Sequence, residues 1–251
     1  MELFRKSLSR LSRLKQLRID FDMGPLIDVE GYHILASAIG SLKDLQILDL
    51  SFFGSNIFSD GCCEDLCENI LKLKSLEVLG LCFRACPLTD KGLETLALCL
   101  LGLIQLRRLK VIFGSMKNPT KEGYEKLVKS IGEMKNLEYL EVDFGHVLEI
   151  DDGALEIFGK SLKGMAKLKT LSLMAKCEGL TDEGVEKLVE DFEGLEGLYD
   201  LSLDLRNCKN VTKKGVKCVY EKLKEKYGMV KEDASYNFKW IVMKNRMSED
   251  D

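Results

Sequence analysis

One feature constrains this chain more than any other: it repeats itself. A template Leu-x-x-Leu-x-[LIV]-x-Phe opens at Leu14, Leu45, Leu76, Leu106, Leu137, Leu168 and Leu198, at intervals of 31, 31, 30, 31, 31 and 30 residues. Glycine keeps the same beat at Gly31, Gly61, Gly92, Gly123, Gly153, Gly184 and Gly215. Four of these follow a threonine three residues upstream, as in TDKG (89–92), TKEG (120–123), TDEG (181–184) and TKKG (212–215). A fixed period of this length marks a stacked architecture whose units cannot fold alone.

The first marker predicts a strand. Tyr139 to Phe144 alternates apolar and polar residues with period two. The second predicts a helix start, because Thr181 or Asp182 can cap free amides and acids suit a first turn. Apolar residues then fall at helical spacing: Tyr124, Leu127, Val128 and Ile131, and again Val185, Leu188, Val189 and Phe192. Each repeat is therefore strand, loop, helix, loop. Stacking places the strands in one parallel sheet with the helices outside. Packed helices need about 8–10 Å and strands about 4.8 Å, so the stack curves with its helices on the convex side.

The Leu-x-x-Leu-x-Leu strand, the loop and the Leu-Thr-Asp-x-Gly helix start resemble the leucine-rich repeats of the ribonuclease-inhibitor type, over roughly residues 1–227. The resemblance implies an α/β horseshoe of about seven repeats with an inner parallel sheet, a habit of binding proteins, and no catalytic residue. That family usually places Asn or Cys just after the strand. Here the position holds Asp22, Phe53, Arg84, Gly114, Gly145, Lys176 and Arg206, so the usual ladder is missing. A phenylalanine column (Phe21, Phe52, Phe83, Phe113, Phe144, continued by Ala175 and Leu205) is expected to form a stacked spine in its place.

The ends need closing. Residues 1–13 supply the helix half of a repeat, with Phe4, Leu8 and Leu11 in register with Leu127, Ile131 and Met134. The same stretch is Arg- and Ser-rich, like a mitochondrial transit peptide; the repeat register accounts for its apolar positions without import. At 228–251 the period stops. Gly228 ends the last helix, and Tyr236, Phe238, Trp240 and Val242 alternate as an extra edge strand or hairpin before the acidic tail Ser248–Asp251.

Composition narrows function. Leucine accounts for 43 residues, and the net charge is -4, without a basic nucleic-acid footprint. No apolar run is long enough to span a membrane. Nine cysteines, an odd count without a secretory signal, indicate free thiols in a reducing compartment. Cys63, Cys67, Cys82 and Cys86 have zinc-like spacing, but the repeat separates them between helix, sheet and loop, so no metal is implied. His33 and His146 stand apart from any nucleophile. Phosphate-binding glycine motifs are absent, and no cofactor is implied.

The surface expected to work is the concave one. Among its strand residues, Asp49, Ser51, Arg108, Lys110, Ile112, Tyr139, Glu141, Asp143 and Asp204 mix charge with aromatic and aliphatic anchors. More acids than bases face this side, which disfavours nucleic acid. Seven strands span roughly 30 Å, and three or four residues of each give about 10–13 Å. That is roughly 300–400 Å², against ~800 Å² per partner in a standard interface. The loops must then contribute, with Phe53 and Arg84 as their candidate contacts. The function expected is a non-enzymatic scaffold that binds a protein partner, as a subunit of a larger assembly in the cytoplasm, where cytoskeletal or ciliary complexes would suit. One alternative is an architectural component of a cytoskeletal, ciliary or mitochondrial complex, contacting neighbours by its ends and convex face. Another is GTPase activation of the Ran-activator type, resting only on Arg84, Arg206 and the acidic tail.

Overall fold

A computed structural model describes residues 2–22, 27–227, 230–232 and 239–243. Helix α1 (Glu2–Ser9) precedes seven strand–helix units: β1 (Gln16–Asp20), α2 (Val29–Gly40), β2 (Ile47–Ser51), α3 (Asp60–Ile70), β3 (Val78–Cys82), α4 (Asp90–Gly102), β4 (Arg108–Ile112), α5 (Lys121–Gly132), β5 (Tyr139–Asp143), α6 (Asp152–Leu162), β6 (Thr170–Met174), α7 (Asp182–Asp191), β7 (Asp200–Asp204) and α8 (Lys213–Tyr227). Strands β1 to β7 form one parallel sheet in chain order. The molecule is an α/β solenoid. The register between strands is the register of the repeat: Leu48 pairs with Leu79, Leu79 with Leu109, Leu140 with Leu171. Each helix packs on the next.

The core lies between sheet and helices. Leu45, Leu48, Leu79, Leu109, Leu137, Leu140 and Leu171 are fully buried from the strand side. From the helix side come residues spaced for one face, such as Tyr124, Leu127, Val128 and Ile131 of α5. At the sheet's end the phenylalanine column stacks. Phe21, Phe52, Phe83, Phe113 and Phe144 lie 5.8–6.3 Å apart between successive centroids, with planes inclined by 7–23°. Tyr32, Tyr124 and Phe158 meet the column edge-on, an arrangement the ring quadrupole favours.

The helix starts hold a second column. In four places an aspartate at the first residue of one helix accepts both the backbone N–H and the hydroxyl of the threonine that caps the next: Asp60 with Thr89, Asp90 with Thr120, Asp152 with Thr181 and Asp182 with Thr212. The residue three beyond each of these threonines is Gly92, Gly123, Gly184 or Gly215, and a Cβ there would overlap that same carboxylate. The glycine beat is thus a steric mark of the clasp. Gly61 and Gly153 depart from it. They stand two residues after the caps Ser59 and Asp151, so the clasp position is taken by Cys62 and Ala154. The reason lies one repeat upstream, where Val29 and Lys121 replace the aspartate. Lys121 instead donates to the cap Asp151 at 2.7 Å, so a cation takes the place of the clasp carboxylate and an aspartate that of the threonine.

The post-strand loops from the second repeat onward hold a defined path without an Asn or Cys immediately after the strand. The residue two beyond the spine position takes a left-handed backbone at Gly54, Ala85, Ser115, His146 and Asn207, with φ between 58 and 73°. The loops also pair backbone to backbone, as from Ala85 N–H to the Gly114 carbonyl and from Ser115 N–H to that of Gly145. A thiol ladder does exist, displaced from that position by two residues at Cys86 and Cys208 and by one at Cys177. Cys86, Cys177 and Cys208 donate to the carbonyls of Phe52, Phe144 and Ala175 at 3.1, 3.3 and 2.9 Å. Burial pushes Cys86 and Cys177 up to about 12 and Cys208 to about 11, so the thiols stay protonated as donors.

Past α8, strand β9 (Lys239–Met243) pairs antiparallel with β7, and β8 (Val230–Glu232) pairs with β9. Gly228, Tyr236, Phe238 and the tail Ser248–Asp251 lie outside the described residues. At the other end Leu8 is buried, while Leu11 is 50% exposed. The backbone register that equates Leu11 with Met134 holds, since Leu11 N–H bonds the Leu8 carbonyl and Leu14 N–H the Leu11 carbonyl just as Met134 bonds Ile131 and Leu137 bonds Met134; only the burial differs.

Candidate interaction face

The exposed face of the sheet is built by the strand residues between the buried leucines. Parallel register lines up equivalent positions, so charged side chains from adjacent repeats become cross-strand neighbours. Arg18 Nε lies 3.9 Å from Asp49, and Lys110 Nζ lies 3.0 Å from Glu141. Tyr139 donates its hydroxyl to Glu141 at 2.7 Å. The Arg108 guanidinium stands 4.3 Å over the Tyr139 ring, a cation–π contact. Burial, and then the bond to Glu141, pushes the Tyr139 phenol up to about 12. Ile112 and Ser51 are half-buried on the same face, with Ser51 donating to Asp22.

Two of the predicted contact residues are differently placed. Asp143 and Asp204 are only 6% and 2% exposed. Each ends a strand and accepts the N–H two residues on, from Gly145 and Arg206, at 2.6 and 3.2 Å. Asp143 also takes Arg84 Nη2 at 2.7 Å. Asp204 takes Arg206 through Nε and Nη2 at 2.8 and 2.6 Å, with Lys176 at 3.6 Å. Burial works against the Asp204 charge, but the Arg206 bonds outweigh it and hold the carboxyl below its ordinary range. A strand-end aspartate closes the turn that follows, a role the alternation of the strand does not announce. Asp20 does the same for Asp22 N–H.

Arg84 is correspondingly a strap. It runs from the third repeat across Gly114 in the fourth to Asp143 in the fifth, and a Cβ at Gly114 would press on its guanidinium. Phe53 is half-buried in the second post-strand loop. Cys63 and Cys86 spend their thiols on the carbonyls of Gly92 and Phe52. Among the described residues no group of three or more His, Cys, Asp or Glu could hold a metal. His33 contacts Asp65 between α2 and α3, and His146 is exposed in a loop. No helix among the described residues is long and apolar enough to cross a membrane.

Two further features lie outside the predicted contact residues. Gly80, where other repeats carry a side chain, floors a hollow of about 230 Å³ between Asp49, Val78, Arg108 and Lys110. Its signal was a glycine inside a strand. The second is apolar: Leu98, Leu101 and Ile104 at the end of α4 are exposed, Ile104 by 69%. Hollows of about 140 and 150 Å³ flank Ile104. The equivalent turn residues are Ser12, Lys43, Lys74, Lys135, Ala166 and Glu196, none of them a large apolar side chain. Lys43 and Lys135 each cap a helix-end carbonyl at 2.6 Å, so an isoleucine in that row is the visible signal.

No family model matches the sequence, and no curated protein does. Among solved structures, a tropomodulin C-terminal domain from Caenorhabditis elegans is 17% identical, with a TM-score of 0.47, over 64% of this chain and 92% of that one.

Proposed function

We propose that this chain is a leucine-rich repeat protein of the ribonuclease-inhibitor type, and that it is a non-enzymatic scaffold binding a protein partner through the concave sheet face and adjacent loops. In this reading it is a subunit of a larger assembly, and neither nucleic acid nor a cofactor is its ligand. The observation that carries it is the cluster Arg108, Tyr139, Glu141 and Lys110. Four side chains from two strands are held by one another on an open sheet face. Groups already ordered before binding lose little entropy on contact, and aromatic and arginine side chains are the usual energetic centres of interfaces. Nine free cysteines support a reducing, cytoplasmic setting.

Affinity capture from the native source, followed by mass spectrometry, tests this. The expected result is a partner retained by the wild-type protein and lost from Lys110→Glu combined with Tyr139→Ala. A partner set unchanged in that double variant would sink the concave reading.

The apolar edge at Leu98, Leu101 and Ile104 favours a second reading, an architectural contact through the convex side. Ile104→Lys installs the residue that three other repeats carry there and is expected to release such a neighbour without touching the concave face. GTPase activation of the Ran-activator type needs a free arginine at the loop edge. Arg84 and Arg206 are instead engaged by Asp143 and Asp204.

A further inference from the structure

Across β1 to β5, the middle row of the concave face runs Arg18, Asp49, Gly80, Lys110, Glu141. Gly80 interrupts it with a dip, walled on the neighbouring row by Ile47 and Val78 and then by Arg108. The hollow is smaller than the roughly 300–1,000 Å³ of a small-molecule pocket. It has room for a large side chain and little else. Its charges are unequal. Arg18 pairs with Asp49, and Lys110 with Glu141, which also holds Tyr139. Arg108 has no carboxylate partner among the described residues. It stands exposed on the Tyr139 ring, with its fork oriented beside the hollow. An oriented guanidinium binds a carboxylate through two parallel bonds, and an apolar wall beside it favours an apolar neighbour. The densely spaced phosphates of a nucleic acid would meet Asp49 and Glu141 as well.

We infer that the hollow over Gly80 is the docking point for an extended segment of a protein partner that carries a carboxylate side chain next to a large apolar one. The apolar side chain enters between Ile47 and Val78, and the carboxylate lies on Arg108. This deepens the protein-binding reading and rests on it.

The test pans a phage-displayed library of random short peptides on the wild-type protein. Enriched peptides are then titrated against Gly80→Leu, Arg108→Glu and, at the far end of the same face, Ser202→Arg. Gly80→Leu places a strand-compatible side chain on the surface. Its Cβ would displace the Asp49 carboxylate, which is on a solvent-facing side chain free to swing away. Circular dichroism confirms that each variant folds.

The expected consensus has Asp or Glu within a few residues of Leu, Ile, Met or Phe. Binding should weaken with salt, fall roughly tenfold or more in both Gly80→Leu and Arg108→Glu, and stay unchanged in Ser202→Arg. A basic consensus, the absence of enrichment, or binding indifferent to both hollow variants overturns the inference. Peptides lost only on Ser202→Arg would also overturn it, while leaving protein binding by the concave face standing.

Discussion

Phe83 shows how much one position carries. Its ring is fully buried and lies 5.8 Å from Phe52 and 6.3 Å from Phe113. A phenylalanine in the same place in five successive repeats announces a stack, because equivalent residues in a parallel solenoid differ by one strand spacing. Removing the ring leaves a cavity that neither neighbour can fill without breaking its own stack. Phe83→Ala is expected to cost about 3–5 kcal/mol, read from urea denaturation; an unchanged midpoint would refute the burial. Asp143 and Asp204 teach the opposite lesson. Alternation along the strand points them at the concave face, yet each turns into its own loop and is covered by an arginine. Period two tells which side of a sheet a residue leaves from. It does not tell whether a turn donor or a charge then claims it.

At the scale of elements, the clasp joins each helix start to the next. Where the first residue of the helix upstream is Asp, the cap is Thr and the third residue beyond it is Gly; where it is Val29 or Lys121, that third residue keeps a side chain, as Cys62 or Ala154. Two glycines of the same apparent beat should therefore respond with opposite sign. A Cβ at Gly61 would meet only the Ser59 Oγ, at an ordinary contact distance of 3.9 Å, and Gly61→Ala is expected to gain about 0.5–1 kcal/mol from helix propensity alone. Gly123→Ala drives out the Asp90 carboxylate that holds both Thr120 donors. Hydrogen bonds to a charged group contribute about 1.5–3 kcal/mol, so the loss outweighs the propensity gain and the variant is less stable. Chemical denaturation of the two variants side by side settles the sign.

The whole molecule is one sheet with two ends. Each repeat covers the apolar face of its neighbour, so the ends are where the stack is incomplete. At the last repeat the β9 backbone pairs with β7 from Asp204 to Asp200. This occupies the row of backbone groups that a parallel eighth repeat would have used. A chain ending after Tyr227 exposes that edge, and unpaired strand edges template association. Such a truncation is expected to self-associate at concentrations where the full chain does not, measured by sedimentation velocity. A monomeric truncation would show that the edge needs no cover.

The leucine and phenylalanine columns, the strand–helix alternation and the number of repeats were legible from residue order alone, because in a solenoid neighbours in space are neighbours one period apart. The same locality made the concave row readable as a row. Contacts that skip or cross the period were not. The Arg84 strap passes over a whole repeat to reach Asp143. The thiols that replace the missing ladder sit one or two residues away from its usual place. The hollow over Gly80 exists only because strands from several repeats surround a position that has no side chain. Each of these depends on how far a side chain reaches and what meets it there, and only the folded arrangement decides that.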